Sequence, residues 1–458
     1  MHETFSLILG LAGLLTIASF LLPIARRLNF PYTVLLAVAG SVLGGIVLLV
    51  KDVQGLWLLG DFLEALDRFD ITSELVFFVF LPTLIFESTL NISVRHLLED
   101  IGTILILAVV GLLISTFVVG LAVREVSSVG LVACLLLGAI VSATDPVAVV
   151  AIFKDLGAPK RLTILVEGES LFNDATAIVL FTILAGTLMG ESETGVLAGA
   201  VDFLRVFCGG ILVGMANAWI VIAIIGRLHK MPLIEITLTV CLAYFAFLLA
   251  EHYLHVSGVM AVVSAGLMVR SQGRTKVSPA TWHTLTETWE QLGFWANSLI
   301  FFLVGLLVPE VLLDFVGVEF TTLLVLVVAA FGARAVVLYG LLPGLARLGI
   351  GQRISLKFRT VMFWGGLRGA VSLALALVIL ESPRVDPALK EFIAVLVTGF
   401  VLFTLFVNAT TMPLLMKLLG LDKPPSREQA MRNRIMALSL SHIRDDLNRA
   451  AEAYRIDE

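Results

Sequence analysis

Long, continuously apolar runs recur along the chain. Segments such as LVFFVFLPTLIF (75–86) and TTLLVLVVAAF (321–331) carry no charged residue and do not alternate apolar with polar positions. A helix needs about 20 apolar residues to cross a bilayer, whereas a membrane β-strand alternates between lipid-facing and lumen-facing residues. The runs therefore predict thirteen membrane-spanning helices, at 4–25, 31–50, 72–92, 101–123, 130–153, 161–190, 200–227, 233–252, 256–270, 285–308, 320–342, 356–380 and 388–416.

Two further segments are too polar to cross. The segment 55–70 contains four acidic residues, which are costly at membrane depth, so we expect it to lie outside the membrane. Beyond the last span, Pro424-Pro425 interrupts the helical pattern, and the remaining residues are charged with apolar positions at helical spacing. The sequence predicts a tail over 417–458, which we interpret as a solvated amphipathic helix.

Two of the predicted spans are interrupted. Thr144-Asp145-Pro146 lies in the middle of the fifth span, and Gly365-Gly366-Leu367-Arg368-Gly369 in the twelfth. If the seventh span is a linker, these are the fifth helix of spans 1–6 and the fifth helix of spans 8–13. Paired interruptions in two halves are typical of secondary transporters built from inverted repeats, whose binding sites lie at the broken helices. The expected fold is an all-α polytopic membrane protein with two inverted six-helix repeats.

Composition agrees with this class and excludes others. Apolar residues make up 59% of the chain and charged residues 15%, against about 25% charged in soluble domains. Nothing in the charge pattern supports nucleic-acid binding. The three cysteines lie inside apolar runs without CxxC spacing, so we expect neither disulfides nor a zinc site.

Basic residues predict the orientation. Fifteen of the 31 Lys and Arg flank the odd-numbered loops between spans and six flank the even-numbered loops. Cytoplasmic loops carry the excess of positive charge. The N-terminus is therefore expected outside and the C-terminus in the cytoplasm, in a multi-pass protein of the plasma (inner) membrane.

Six ionisable residues fall at membrane depth, and each costs about 2.5–3.5 kcal/mol on insertion scales unless it is paired. They are Glu87, Asp145, Glu169, Asp174, Arg334 and Arg368. Four acids against two bases leave an excess of negative charge, which favours a cation site over an anion site.

The segment EGESLFND (167–174) is the densest polar stretch within any span. At about 100° per residue, Ser170 and Asp174 share one face of the helix, while Glu169 and Asn173 share a neighbouring face. The first face offers a hydroxyl and a carboxylate to a hard cation, which prefers oxygen ligands. The second face is free to meet a base, and we predict an ion pair between Glu169 and Arg368.

Asp145, Glu167 and Glu87 are further acids with candidate positions at the site or on its access path. Asp145 stands beside Pro146, which frees backbone carbonyl groups to line a cavity. Glu167 lies two turns below Asp174 on nearly the same face and is expected in an access funnel, with a solvated carboxylate at a helix start as the alternative. Glu87 lies near one end of the third span, where an interfacial acid is the alternative to a site residue.

The strings LPTLIFESTLNIS (81–93), SATDPVAVVAIF (142–153), EGESLFNDATAIVLF (167–181) and FWGGLRGAVSLALAL (363–377) resemble the NhaP-type and animal sodium/proton exchangers of the first monovalent cation/proton antiporter family. The resemblance covers residues 1 to 418, with the motifs in the same order and at the same spacing. It implies a homodimer of thirteen-helix protomers in the lipid bilayer. A core domain (101–190 and 320–416) is expected to move like an elevator against a dimerisation domain (4–92 and 200–308).

The same resemblance implies roles for individual residues. Asp174 matches the essential carboxylate, and Asn173 marks an Asn-Asp subtype. A Na⁺ site is implied at Asp174, Ser170, Thr144, Asp145 and Glu87. Glu169 and Arg368 match an ion pair of the family, and Arg334 matches an arginine of the eleventh helix with a structural role. No organic cofactor is expected, since Na⁺ and H⁺ are the transported ions.

The residues themselves support a mechanism. If the site can cross the membrane only when Asp174 is neutralised by a cation or a proton, the two ions compete and exchange is obligatory. With Asn173 in place of a second acid, the expected stoichiometry is one to one and electroneutral. A K⁺/H⁺ antiporter, with Li⁺ as a further candidate ion, stays open because oxygen ligands serve all these cations. An aspartyl intramembrane protease using Asp145 and Asp174 is the enzyme alternative, but neither residue lies in a GxGD string.

Overall fold

The computed structural model describes residues 2–28, 30–50, 72–190, 196–228, 231–313, 317–349, 351–422 and 426–454. Within these ranges the regular structure is helical and no strand occurs. Ten of the described helices are long and apolar enough to cross a membrane, and Ala370–Glu381 is a shorter apolar helix. The protein is therefore an all-helical membrane protein. The predicted extramembrane segment 55–70 lies outside the described residues.

The helices are numbered here in chain order: α1 (His2–Leu28), α2 (Tyr32–Val50), α3 (Ser73–Asn91), α4 (Val94–Val126), α5 (Leu131–Ser142), α6 (Val147–Leu156), α7 (Lys160–Leu188), α8 (Val196–Ile225), α9 (Pro232–Tyr253), α10 (258–276), α11 (Pro279–Leu313), α12 (317–347), α13 (Leu356–Trp364), α14 (Ala370–Glu381), α15 (Pro387–Leu418) and α16 (Ser426–Tyr454).

Each predicted span coincides with a helix or a pair of half-helices, although several helices are longer than expected. The largest difference is at α4, which begins at Val94 and not at 101. The added turns contain Asp100, an acidic residue that is buried in the structure. In the structure Arg161 Nη2 and Nε donate to the two carboxylate oxygens of Asp100 at 2.8 and 2.9 Å, so the carboxylate is paired and tolerated.

Both predicted chain breaks are present. Residues 143–146 separate α5 from α6, and residues 365–369 separate α13 from α14. The two breaks meet, since the Asp145 N–H donates to the Leu367 carbonyl oxygen at 2.9 Å. Ser372 Oγ donates to the Ile140 carbonyl oxygen at 2.8 Å, which joins α14 to the end of α5. Backbone groups freed by the breaks are thus paired inside the protein, as membrane depth requires.

Small residues bring other helices into close contact. A Cβ atom at Gly40 would lie 2.2 Å from the Phe302 carbonyl oxygen, and one at Gly214 would lie 2.0 Å from that of Ala261. These glycines allow the backbones of α2 and α11, and of α8 and α10, to approach as small-residue interfaces do in membranes.

The helices around the two breaks pack in two groups. In the first group, α4 packs against α5 and α12, and α15 packs against α12 and α14. In the second group, α3 packs against α10 and α11. At one end of the molecule, polar contacts join the two groups. Ser73 at the start of α3 donates its backbone N–H to Glu381 Oε1 at 2.8 Å, and its hydroxyl donates to the other oxygen of that carboxylate.

Helix α16 forms most of the predicted tail and exposes much of its apolar surface. Met431 is 66% exposed and Leu447 is 63% exposed. Helix α15 ends at Leu418, two residues beyond the predicted end of the thirteenth span.

Candidate ion-binding site

Asp145 lies where the two chain breaks cross. Its Oδ1 accepts the backbone N–H of Val147 at 2.9 Å, and its carboxylate also accepts the N–H of Ala370. These donors are the first residues of α6 and α14. The first N–H groups of a helix have no partner within it and carry partial positive charge, so two helix N-termini stabilise one carboxylate.

The backbone of α14 approaches this carboxylate so closely that only glycine fits. A Cβ atom at Gly369 would lie 1.8 Å from Asp145 Oδ2. The glycine-rich break thus serves the carboxylate directly, in addition to interrupting the helix.

Helix α7 supplies the other polar groups of the crossing. Ser170 donates its hydroxyl to the carbonyl oxygen of Thr144, and Asn173 Nδ2 donates to Thr144 Oγ1 at 3.5 Å. Ser170, Asn173 and Thr144 are all at most 5% exposed. These bonds hold the unwound segment against α7, one turn from Asp174.

A cavity of about 250 Å³ opens at this crossing. Four carboxylates line it, together with Thr144 and Ser170, and they come from α3, α7 and the break before α6: Glu87, Asp145, Glu167 and Asp174. Across the described residues, no three His, Cys, Asp or Glu side chains cluster closely enough to form a metal site by themselves.

The two predicted faces of α7 face different spaces. Glu167, Ser170 and Asp174 line the large cavity, whereas Glu169 and Asn173 line a second space of about 20 Å³. The helical periodicity therefore separated the groups that face the cavity from the groups that face the helix bundle.

Glu169 is paired, but not with the predicted residue. Arg334 of α12 donates from Nη1 to Glu169 Oε1 at 2.9 Å and from Nη2 to Oε2 at 3.3 Å. Its Nε donates to the Met362 carbonyl oxygen at 2.9 Å, next to the second break. The prediction of a Glu169–Arg368 pair was thus wrong in its basic partner. The planar guanidinium of Arg334 fits both carboxylate oxygens and the carbonyl group at once.

Arg368 lies beside this pair and is turned elsewhere. Its Nη1 donates to the Gly366 carbonyl oxygen at 3.1 Å, and its Cζ lies 5.5 Å from the ring centre of Phe400. Its Nε has no hydrogen-bond partner among the described residues. Arg368 is 4% exposed and borders the same small space as Glu169, so its charge acts on the site without forming the ion pair.

Among the polar residues that line the large cavity, sequence reasoning missed Lys154 and Asn297. Lys154 had been counted only for topology, and Asn297 of α11 had not been considered. A signal for Lys154 was present: Val147, Val150, Ala151 and Lys154 have the i, i+3, i+4, i+7 spacing of one helix face, and all four line the cavity. Asn297 is followed by Ser298 within an apolar run, and no spacing pattern connects it with the site.

Known proteins resemble this chain over most of its length. Residues 14–418 match the family described as sodium/hydrogen exchanger, transmembrane. The Na⁺/H⁺ antiporter ApNhaP of Aphanothece halophytica is 35% identical over 422 residues, which are 91% of this chain and 74% of that protein. The Na⁺/H⁺ antiporter NhaP of Pseudomonas aeruginosa is 37% identical over 366 residues, which are 76% of this chain and 84% of that protein.

A solved structure shows the same fold. The sodium proton antiporter MjNhaP1 of Methanocaldococcus jannaschii, solved at pH 8, superposes with a TM-score of 0.68, covering 92% of this chain and 100% of that chain at 21% identity. Family, relatives and fold agree with the resemblance of the sequence motifs. The chain therefore belongs to the transmembrane sodium/hydrogen exchanger family, whose members are transporters and not enzymes.

Proposed function

We propose that the protein is a secondary active antiporter that exchanges Na⁺ or Li⁺ for H⁺ at Asp174. One observation carries the proposal: Asp174, Asp145, Thr144 and Ser170 converge on a single cavity where two broken helices cross. The names of the relatives, which are Na⁺/H⁺ antiporters, support the choice of ions.

The cation is held by oxygen atoms at the deep end of this cavity, farthest from its mouth. Asp174 supplies the main charge, Ser170 and Thr144 supply uncharged oxygens, and Asp145 is fixed by the helix N-termini of α6 and α14. Glu87 and Glu167 lie along the same cavity and attract cations toward the site. Asn173 and the Arg334–Glu169 pair stabilise α7 through the face that does not line this cavity.

Competition at Asp174 couples the two ions. A bare carboxylate is costly in the membrane, so the site crosses only when a cation or a proton neutralises it. Because Asn173 carries no charge, one proton replaces one cation and exchange is electroneutral.

The site moves by an elevator motion. The core domain comprises 101–190 and 320–416, the dimerisation domain comprises 4–92 and 200–308, and residues 417–458 form the tail. Thirteen spans in two inverted six-helix repeats place α5/α6 and α13/α14 at equivalent positions. The meeting of these two breaks at Asp145 and Leu367 supports this arrangement.

The protein works as a homodimer in the plasma membrane, with its N-terminus outside and its C-terminus in the cytoplasm. In this orientation the cavity opens toward the cytoplasm, because Lys154 lines it and stands near the connection between α6 and α7, whose flanking helix ends carry Lys154, Lys160 and Arg161. Ser73 and Glu381 then close the outer side.

Transport by reconstituted protein tests the proposal. In proteoliposomes with an inside-acid pH gradient, the internal pH should rise when Na⁺ or Li⁺ is added outside. A pH-sensitive dye trapped inside follows this change. Asp174→Asn should abolish this response in folded protein. The matched control is Asp202→Asn, the same change at a surface carboxylate 3.7 Å from Arg205, which should exchange normally. A response to K⁺ alone would favour the K⁺/H⁺ alternative, and Na⁺-driven exchange by Asp174→Asn would refute the assignment of the site.

Electroneutrality has its own test. An imposed membrane potential of either sign should leave the initial rate of Na⁺-driven exchange unchanged. A rate that changes with the potential would contradict the one-to-one stoichiometry.

A further inference from the structure

Lys154 is the one basic residue among the described residues that line the acidic cavity. It lies in the last turn of α6, where a cation is favourable to the helix dipole, just before Gly157 ends the helix. Its side chain is exposed, whereas Glu167 is 8% exposed and the Ser170 side of the cavity is buried. Lys154 therefore stands at the mouth of the cavity, between solvent and the carboxylates.

Two carboxylates share the charge of this lysine. Lys154, Glu87 and Glu167 line the same cavity, so the positive charge of the lysine acts on both carboxylates. Glu290 of α11 adds a like charge near Glu87. A cation that approaches Asp174 through the cavity passes Glu87, Glu167 and Lys154.

The arrangement makes Lys154 a competitor of the transported ion. An ammonium group and a Na⁺ ion are both monovalent cations that lower the energy of the same carboxylates. The lysine is tethered to α6, so it compensates the acids whenever the mouth holds no other cation. A cation that enters must share or displace this interaction.

We propose that Lys154 sets the apparent cation affinity of the transporter by acting as a tethered counter-ion to Glu87 and Glu167 at the cavity mouth. This inference rests on the proposed antiport function. It assigns Lys154 a role in affinity and none in the crossing step, since Asp174 lies deeper and is neutralised by the transported ion itself.

The charge predicts a measurable change in KM. Removing a unit positive charge at the mouth, in the high effective dielectric near the surface, should lower the KM for Na⁺ by about three- to tenfold. The kcat should stay within about twofold of the unmodified protein, because the crossing step is untouched. Higher ionic strength should reduce the difference in KM, because exposed charges are screened.

The experiment compares Na⁺-dependent exchange by four variants at one pH and one ionic strength in proteoliposomes. Lys154→Met and Lys154→Gln both remove the charge and should both lower KM, while Lys154→Arg keeps the charge and should retain the original KM. Lys417→Met is the matched control, since Lys417 is exposed at the end of α15, which packs beside α6 without this lysine lining the cavity. It should leave KM unchanged.

The outcomes separate the two proposals. An unmodified protein that shows no cation-driven proton movement would refute the antiport function. If that protein exchanges Na⁺ for H⁺ but neutral substitutions leave KM unchanged or raise it, the role of Lys154 alone is refuted. A fall in kcat without a change in KM, or Lys154→Arg behaving like Lys154→Met, would show a structural role and would also overturn it.

Discussion

The pairing of Glu169 with Arg334 predicts a large and specific loss of stability. The two side chains are 5% and 14% exposed, and both carboxylate oxygens are bonded to the guanidinium. Arg334→Met keeps most of the volume but leaves a buried carboxylate without a partner. Breaking a buried pair from one side costs about 3–5 kcal/mol. Arg368→Met should cost less, because the one hydrogen bond of the Arg368 side chain to the described residues goes to a carbonyl oxygen.

Unfolding in mixed micelles measures this difference. Helix content followed by circular dichroism during titration with sodium dodecyl sulfate gives a free energy of unfolding for each variant. The double variant Glu169→Gln with Arg334→Met should recover part of the loss, because neither charge is then left alone. A loss below about 1 kcal/mol for Arg334→Met, or additive effects in the double variant, would refute the pair as the main electrostatic support of α7.

Two further substitutions test contacts seen only in the structure. Gly369→Ala should reduce exchange in proteoliposomes by more than tenfold, because the added Cβ would lie 1.8 Å from Asp145 Oδ2. Gly45→Ala is the control and should not change exchange, because no atom lies within 4 Å of the added Cβ. Normal exchange by Gly369→Ala would contradict the close approach of the two breaks. Glu381→Ala should increase amide hydrogen exchange at the start of α3 several-fold, because the Ser73 N–H loses its acceptor; unchanged protection would show that this contact does not hold the helix end.

The sequence determined the helices, their breaks and the sorting of polar residues on α7. These are local properties: apolar length decides which segments cross a bilayer, and a proline or a glycine cluster interrupts a helix wherever it stands. Helical periodicity alone placed Ser170 and Asp174 on one face and Glu169 and Asn173 on another, and the two faces border different spaces in the structure. The family motifs lie in these same segments.

Only the tertiary structure decided which distant residues meet. Helical periodicity places Glu169 on a face where a basic partner is expected. Whether that partner is Arg334 or Arg368 depends on how α12 packs near α7. In the structure the second break directs Arg368 toward the carbonyl group of its own loop. Ser73 and Glu381 are 308 residues apart, and no local pattern links them. Lys154 appeared in the sequence as one loop charge among many. Sequence spacing groups Lys154 with Val147, Val150 and Ala151 on one face of α6, but only the packing of the helices shows that this face borders the cavity.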